Sequence, residues 1–297
     1  MKPARFGFHD PDDLDDALAL TAQLGDDAAI LAGGQSLVPM MNLRLVQPAA
    51  VIDLNRVAEL RYVRAGADHV ALGAMTRNRT LERDPEVALG APLVAEAMPH
   101  VAYASIRARG TVGGSVAHAD PAAELPCVLL AADASFVLAA TAGRREVAAT
   151  EFFVGPFTTA RAPHELLVEI RVPAPVPGTV TGFAEFARKS GDFALALAAV
   201  TLTVQDGRCT RARVALGGVD SVPVRATSAE CLLEGAPLEP ALVEEAARAA
   251  AGDVDPTGDS HGSAAYRKRL VAVQVRRALE AAAARAGAID NGKVAHD

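Results

Sequence analysis

Cysteine is scarce in this chain: Cys127, Cys209 and Cys231 are the only three among 297 residues. An odd number at wide spacing builds neither a disulfide framework nor a four-thiolate metal cluster. Apolar neighbours mark each as a small core residue rather than a nucleophile. The seven histidines show no metal-ligand spacing. Basic runs are missing too. The 29 Lys and Arg are scattered and the net charge is −7, which argues against a nucleic-acid partner. The densest apolar stretches, 128–132 and 194–204, are too short or too interrupted by Thr to span a bilayer. The first residues carry no long apolar core of a secretion leader. Together these absences point to a cytoplasmic protein with no metal site, nucleophile or acid–base dyad of its own.

What the chain does have is a pair of glycine doublets. Ala32-Gly33-Gly34-Gln35-Ser36 is the first and Thr111-Val112-Gly113-Gly114-Ser115 the second. Each is flanked by a small or hydroxyl residue, followed closely by Ser, and then by an apolar residue. Adjacent glycines admit backbone with φ > 0 and let another molecule approach where a Cβ would stand. Turns of this kind gather successive N–H groups into one concavity suited to phosphate oxygens. Neither doublet is a P-loop, because no Gly-Lys-Ser/Thr follows, and neither is the Gly-x-Gly-x-x-Gly fingerprint. A lone doublet would read as a tight strand connection. Two with matching surroundings suggest a diphosphate held from two sides, as in a dinucleotide cofactor.

With 51% hydrophobic residues, the chain has core enough for about two domains. Asp10-Pro11 reads as a helix cap with Pro at the first helical position. Leu14, Ala17, Leu18, Thr21 and Leu24 follow at helical spacing, and Gly25 ends the run. Residues 28–32 and 51–54 read as buried strands, with a short helix or turn over 37–45. Further on, 70–73 reads as a strand, 92–101 as a helix, and 121–131 as helical turns broken near Pro126. Strands are expected at 135–140, 145–149 and 165–172. The Pro-rich segment 173–178 is the clearest linker. Three strand-like runs follow, at 182–189, 193–204 and 211–219, then helices at 240–251 and about 263–285. The fold class is α+β: a two-part domain over 1–175, with subdomains of about 1–57 and 58–175, then a smaller sheet-plus-helices domain over 180–290.

Two segments carry a family resemblance. Ala32-Gly-Gly-Gln-Ser-Leu-Val-Pro-Met-Met-Asn-Leu-Arg44 resembles the first flavin-diphosphate loop of the FAD-binding subunits of molybdenum hydroxylases. Ile106-Arg-Ala-Arg-Gly-Thr-Val-Gly-Gly-Ser-Val-Ala-His-Ala-Asp-Pro-Ala-Ala-Glu124-Leu-Pro resembles the second. The start of the last helix, Ser-Ala-Ala-Tyr-Arg-Lys-Arg within 259–270, is similar as well. The family includes carbon monoxide dehydrogenase medium subunits and the flavin domain of xanthine dehydrogenase. Three positions depart from its pattern: Ala108 where Asn is usual, Asn42 where Lys is frequent, and Phe193 where the aromatic is often Tyr.

The resemblance implies a PCMH-type FAD-binding domain and a flavoprotein C-terminal domain. It implies backbone contacts to the FAD diphosphate from Gly33, Gly34, Gln35 and Ser36, beside Ala32. Gly113, Gly114 and Ser115 contact it on the other side, and the hydroxyls of Ser36, Thr111 and Ser115 add donors. Glu124 is a candidate acceptor for a ribose or ribityl hydroxyl, or else a solvated helix charge. Asp120 suits an N-cap and His118 a structural role. Arg107 and Arg109 suit carboxylate pairing that sets the loop. Phe193 falls near the flavin ring, and Lys189 or Arg188 either adds positive charge near reduced flavin or is an ordinary surface charge. The implied partners are a large molybdopterin-binding subunit and a small subunit with two [2Fe–2S] clusters, assembling as a heterotrimer or a dimer of heterotrimers. Any contact with the inner face of the membrane would run through them. Electrons would pass from those clusters through FAD to NAD⁺, a quinone or oxygen. Two other readings are a self-sufficient FAD oxidase and a non-redox nucleotide-binding scaffold.

Overall fold

The computed structural model describes residues 2–294. The chain opens with a small parallel sheet in which Ala50–Asp53 lies between Gly7–His9 and Ala28–Leu31. The helix Leu14–Leu24 makes the first crossover. It buries Leu14, Ala17, Leu18 and Thr21, one face at helical spacing. Its cap is Asp13, whose side chain accepts from the Asp16 N–H, not the expected Asp10. Asp10 instead pairs with Arg56 at 3.1 Å, so the Pro11 signal lies just outside the helix. Gly25, at φ 50°, ends it.

The second sheet has five antiparallel strands, in the order Val63–Ala65, His69–Gly73, Leu166–Pro173, Ser135–Ala140, Gly143–Ala148. Helices Pro92–Ala97, Val112–His118 and Glu124–Ala131 complete its core with Leu72, Met98, Leu129, Phe136, Phe152 and Ile170. Two expectations fail here. Residues 124–131 form one unbroken helix, because Pro126 sits in its first turn, where an N–H has no intrahelical partner to lose. The second glycine doublet is not a turn: Gly113 and Gly114 open the helix Val112–His118, with Thr111 as its N-cap.

Four strands form the third sheet: Thr179–Phe186, Ala196–Gln205, Arg208–Gly217 and Val224–Arg225. Asp206 and Gly207, both at positive φ, make the tight turn between its central strands. Both faces of this sheet are covered, which explains its nearly unbroken apolar run. Phe183, Leu197, Ala199 and Ala215 join the core of the preceding domain. Ala198, Val200, Leu202 and Val214 face the core built with helices Pro240–Ala250 and Ala264–Val294. Gly182 permits close approach of the last helix: a Cβ there would lie 2.0 Å from the Ala278 carbonyl oxygen. Among the described residues no helix is long and apolar enough to cross a membrane.

Candidate functional site

The two glycine segments lie 75 or more residues apart in sequence but touch in space. A Cβ on Gly33 would sit 2.5 Å from the Arg109 carbonyl oxygen and 2.7 Å from Gly110 Cα. A Cβ on Gly114 would sit 2.8 Å from Thr111 Oγ1 and 3.4 Å from Ala32 Cβ. Glycine at both positions is what lets the segments meet.

The first segment leaves the strand Ala28–Leu31 and enters the short helix Leu37–Asn42. Gly34 has φ 72°, a region open to glycine and strained for other residues. Gln35 folds back, its amide donating to the Gly33 carbonyl at 2.9 Å. None of the described residues accepts a hydrogen bond from the N–H groups of Gly33, Gly34, Gln35 or Ser36. These four donors belong to residues that are buried or half-buried, and buried backbone groups are nearly always paired. They suit a ligand that presents several anionic oxygens.

The second segment is different. Gly113 donates to the Ala74 carbonyl at 2.9 Å and Ser115 to the Thr111 carbonyl at 3.1 Å. Gly114 donates to Thr111 Oγ1 at 3.1 Å. The backbone donors expected of Gly113, Gly114 and Ser115 are therefore already engaged in closing the helix start. What this side still offers is the Thr111 and Ser115 hydroxyls.

Sequence reasoning missed the framework behind the loops. Asn55 Nδ2 donates to the Ala32 carbonyl at 2.8 Å. Arg77 donates to Asn55 Oδ1 at 2.6 Å and to the Arg109 carbonyl. Asn78 receives the other strand of this contact, its N–H donating to the Gly110 carbonyl at 3.0 Å. The Asp-Leu-Asn run after the strand Ala50–Asp53 was a weak signal for Asn55; nothing local marks Arg77. Arg107 does pair with a carboxylate, donating to both Glu82 oxygens at 3.0 and 2.9 Å. Arg109 has no ion pair among the described residues.

Glu124 is buried, 7% exposed, and so is not a solvated helix charge. Burial, with the neighbouring Glu185 carboxylate adding to it, pushes its carboxyl up to about 8. No side-chain hydrogen-bond donor pairs with it among the described residues. Nearby, His100 pairs with Glu185 at 3.2 Å, and that bond raises the imidazole above its ordinary value. Asp120 accepts from the Ala122 N–H at 2.9 Å and closes a turn rather than capping a helix.

A cleft of about 580 Å³ opens beyond the far end of the helix Val112–His118. That helix spans about 10 Å at 1.5 Å per residue. Asp120, Arg188, Asp192, Phe193, Ser221 and His261 line the cleft. Phe193 is 60% exposed. Arg188 pairs with Asp192 at 3.8 Å, whereas Lys189 is exposed and does not line the cleft.

Comparison with known proteins decides between dinucleotide sites. The family model for the FAD-binding domain in molybdopterin dehydrogenase matches residues 4–175. The model for the CO dehydrogenase flavoprotein C-terminal domain matches residues 181–282. The chain belongs to the molybdenum hydroxylase flavoprotein family. Its two-domain architecture is the family's PCMH-type FAD-binding domain followed by the flavoprotein C-terminal domain, and its cofactor is FAD. Among the relatives of this flavoprotein is the 6-hydroxypseudooxynicotine dehydrogenase complex subunit alpha of Paenarthrobacter nicotinovorans, 41% identical, with 96% of this chain and 97% of the relative covered. The carbon monoxide dehydrogenase medium chain of Hydrogenophaga pseudoflava is also 41% identical, over 96% and 99%. A solved structure of carbon monoxide dehydrogenase from that organism, lacking the Mo-pyranopterin moiety of its cofactor, superposes with TM-score 0.93 at 42% identity, covering 96% and 99%.

Proposed function

We propose that this flavoprotein is the FAD-carrying subunit of a molybdenum hydroxylase complex and passes electrons from [2Fe–2S] clusters to an external acceptor. The observation that carries the site assignment is the set of four unpaired N–H groups at 33–36, packed against the second glycine segment. They fit a diphosphate, which accepts many hydrogen bonds at once. Gly33, Gly34, Gln35 and Ser36 would hold one phosphate region, beside Ala32, with the Thr111 and Ser115 hydroxyls adding donors across Gly113 and Gly114. Glu124, buried and without a side-chain donor, suits a ribose or ribityl hydroxyl. Phe193 and Arg188 border the cleft that would take the flavin ring; Lys189 contributes at most a longer-range charge.

Bound FAD supplies redox chemistry that no side chain can perform. The chain's own residues bind the cofactor, orient it and set the charge around it. The clusters belong to other subunits: an all-cysteine [2Fe–2S] centre takes four thiolates, and this chain has three dispersed cysteines, two of them buried. The assembly we propose joins this chain, divided near residues 1–175 and 180–290, to a large molybdopterin-binding and a small [2Fe–2S] subunit in the cytoplasm. The test is to co-express the three chains. A yellow complex containing all three, with flavin reduced when substrate of the large chain is added, supports the assignment. A folded chain that stays colourless and ignores added FAD refutes it.

A further inference from the structure

Two side chains far apart in sequence tie the glycine segments together. Asn55 holds the carbonyl of Ala32, directly before Gly33, at 2.8 Å. Arg77 holds the carbonyl of Arg109, directly before Gly110, and joins Asn55 at 2.6 Å. The chain of contacts therefore runs from one loop to the other through Asn55 and Arg77. Asp53 steadies its middle, accepting from Asn55 Nδ2 at 2.5 Å and from the Asn55 N–H at 2.9 Å.

The charge of this clasp is unusual. Arg77 is partly buried, yet no carboxylate forms an ion pair with it among the described residues. Its charged neighbours are Arg61 and Arg109, which repel it, and Asp53, which attracts it more weakly. Neither Arg61 nor Arg109 has an ion-pair partner among the described residues. Arg77 thus feels two like charges against one carboxylate. Partial burial of an uncompensated cation costs free energy unless something offsets it. Guanidinium has five N–H donors, and the two contacts seen leave several unused. The neutral donors at 33–36 lie beside this excess positive charge.

We infer that Arg77 is a positioning residue which, through Asn55, sets the spacing of the two glycine segments and keeps an unneutralised positive charge beside them, so that affinity for the FAD diphosphate depends on it more than folding does. This rests on the proposed diphosphate site. The tie fixes geometry, and the charge acts on the anion without requiring direct contact.

The experiment titrates the deflavinated full chain with FAD and with riboflavin, which lacks the phosphates, and measures unfolding of the flavin-free protein. Arg77→Gln is expected to weaken FAD about 30-fold, leave riboflavin within about 2-fold, and flatten the dependence of FAD affinity on salt. Asn55→Ala keeps the charge and loses half the tie. It is expected to weaken FAD about 5-fold while preserving the salt dependence. Arg77→Lys should recover the salt dependence but not the full affinity, because a point charge cannot replace the planar fork. Unchanged FAD affinity in Arg77→Gln overturns the inference. So does equal loss of FAD and riboflavin in both the Arg77→Gln and Asn55→Ala proteins, which marks a purely structural role. Failure of the unaltered chain to bind FAD would instead overturn the diphosphate site itself.

Discussion

Replacing Glu124 by Gln gives a prediction with a defined sign and size. The carboxyl is buried at the start of the helix Glu124–Ala131, and in the folded flavin-free chain it titrates at about 8. In the unfolded chain it titrates near the ordinary value of 4.5. Between these pH values the folded state holds a proton that the unfolded state has released. Stability therefore falls as pH rises through this window, by about 1.4 kcal/mol per pH unit. By pH 7 the accumulated loss is roughly 3 kcal/mol, and above pH 8 it levels off. Gln has the same shape and no charge, so it escapes the loss. The difference between variant and parent should be near zero below about pH 4 and grow to about 3 kcal/mol at pH 7. The His100–Glu185 pair also weakens with rising pH, as His100 loses its proton; Glu124 couples to both groups, so this pair adds a smaller contribution to the gap. Denaturant unfolding of the flavin-free chains at four pH values measures the gap. A gap that does not change with pH refutes the assignment of a neutral, buried Glu124.

Two other predictions concern the loops. Gly33→Ala places a methyl group against the Arg109 carbonyl; it should lower stability by about 1–3 kcal/mol and release FAD, seen as flavin content after gel filtration. Thr111→Val removes the cap on Gly114 and should cost about 1 kcal/mol in thermal or denaturant unfolding. Thr111→Ser keeps the capping hydroxyl and should restore stability.

Much of this fold was legible because its signals are local. The strand Ser135–Ala140 and the helix beginning at Pro240 follow from short-range pattern and proline position. The glycine segments were legible as motifs, but their local structure was not alike. Gly34 is a positive-φ turn, while Gly113 and Gly114 start a helix that Thr111 caps. A hydroxyl three residues before Gly114 was the available signal for that helix. Pro126 was misread as a break because its effect depends on how close the helix start lies. Glu124 and Arg77 resist sequence reading for a different reason. The burial of Glu124 comes from packing beneath the C-terminal sheet, and the Arg77 tie spans 22 residues to Asn55 and 32 to Arg109. Neither leaves a periodic trace along the chain.

The central claim is that two glycine segments meet to grip a diphosphate. Comparing the affinity of the deflavinated chain for FAD and riboflavin tests it most directly. The account predicts that FAD binds at least about 100-fold more tightly, roughly 3 kcal/mol, with much of that preference lost at high salt. Riboflavin binding as tightly as FAD would contradict it.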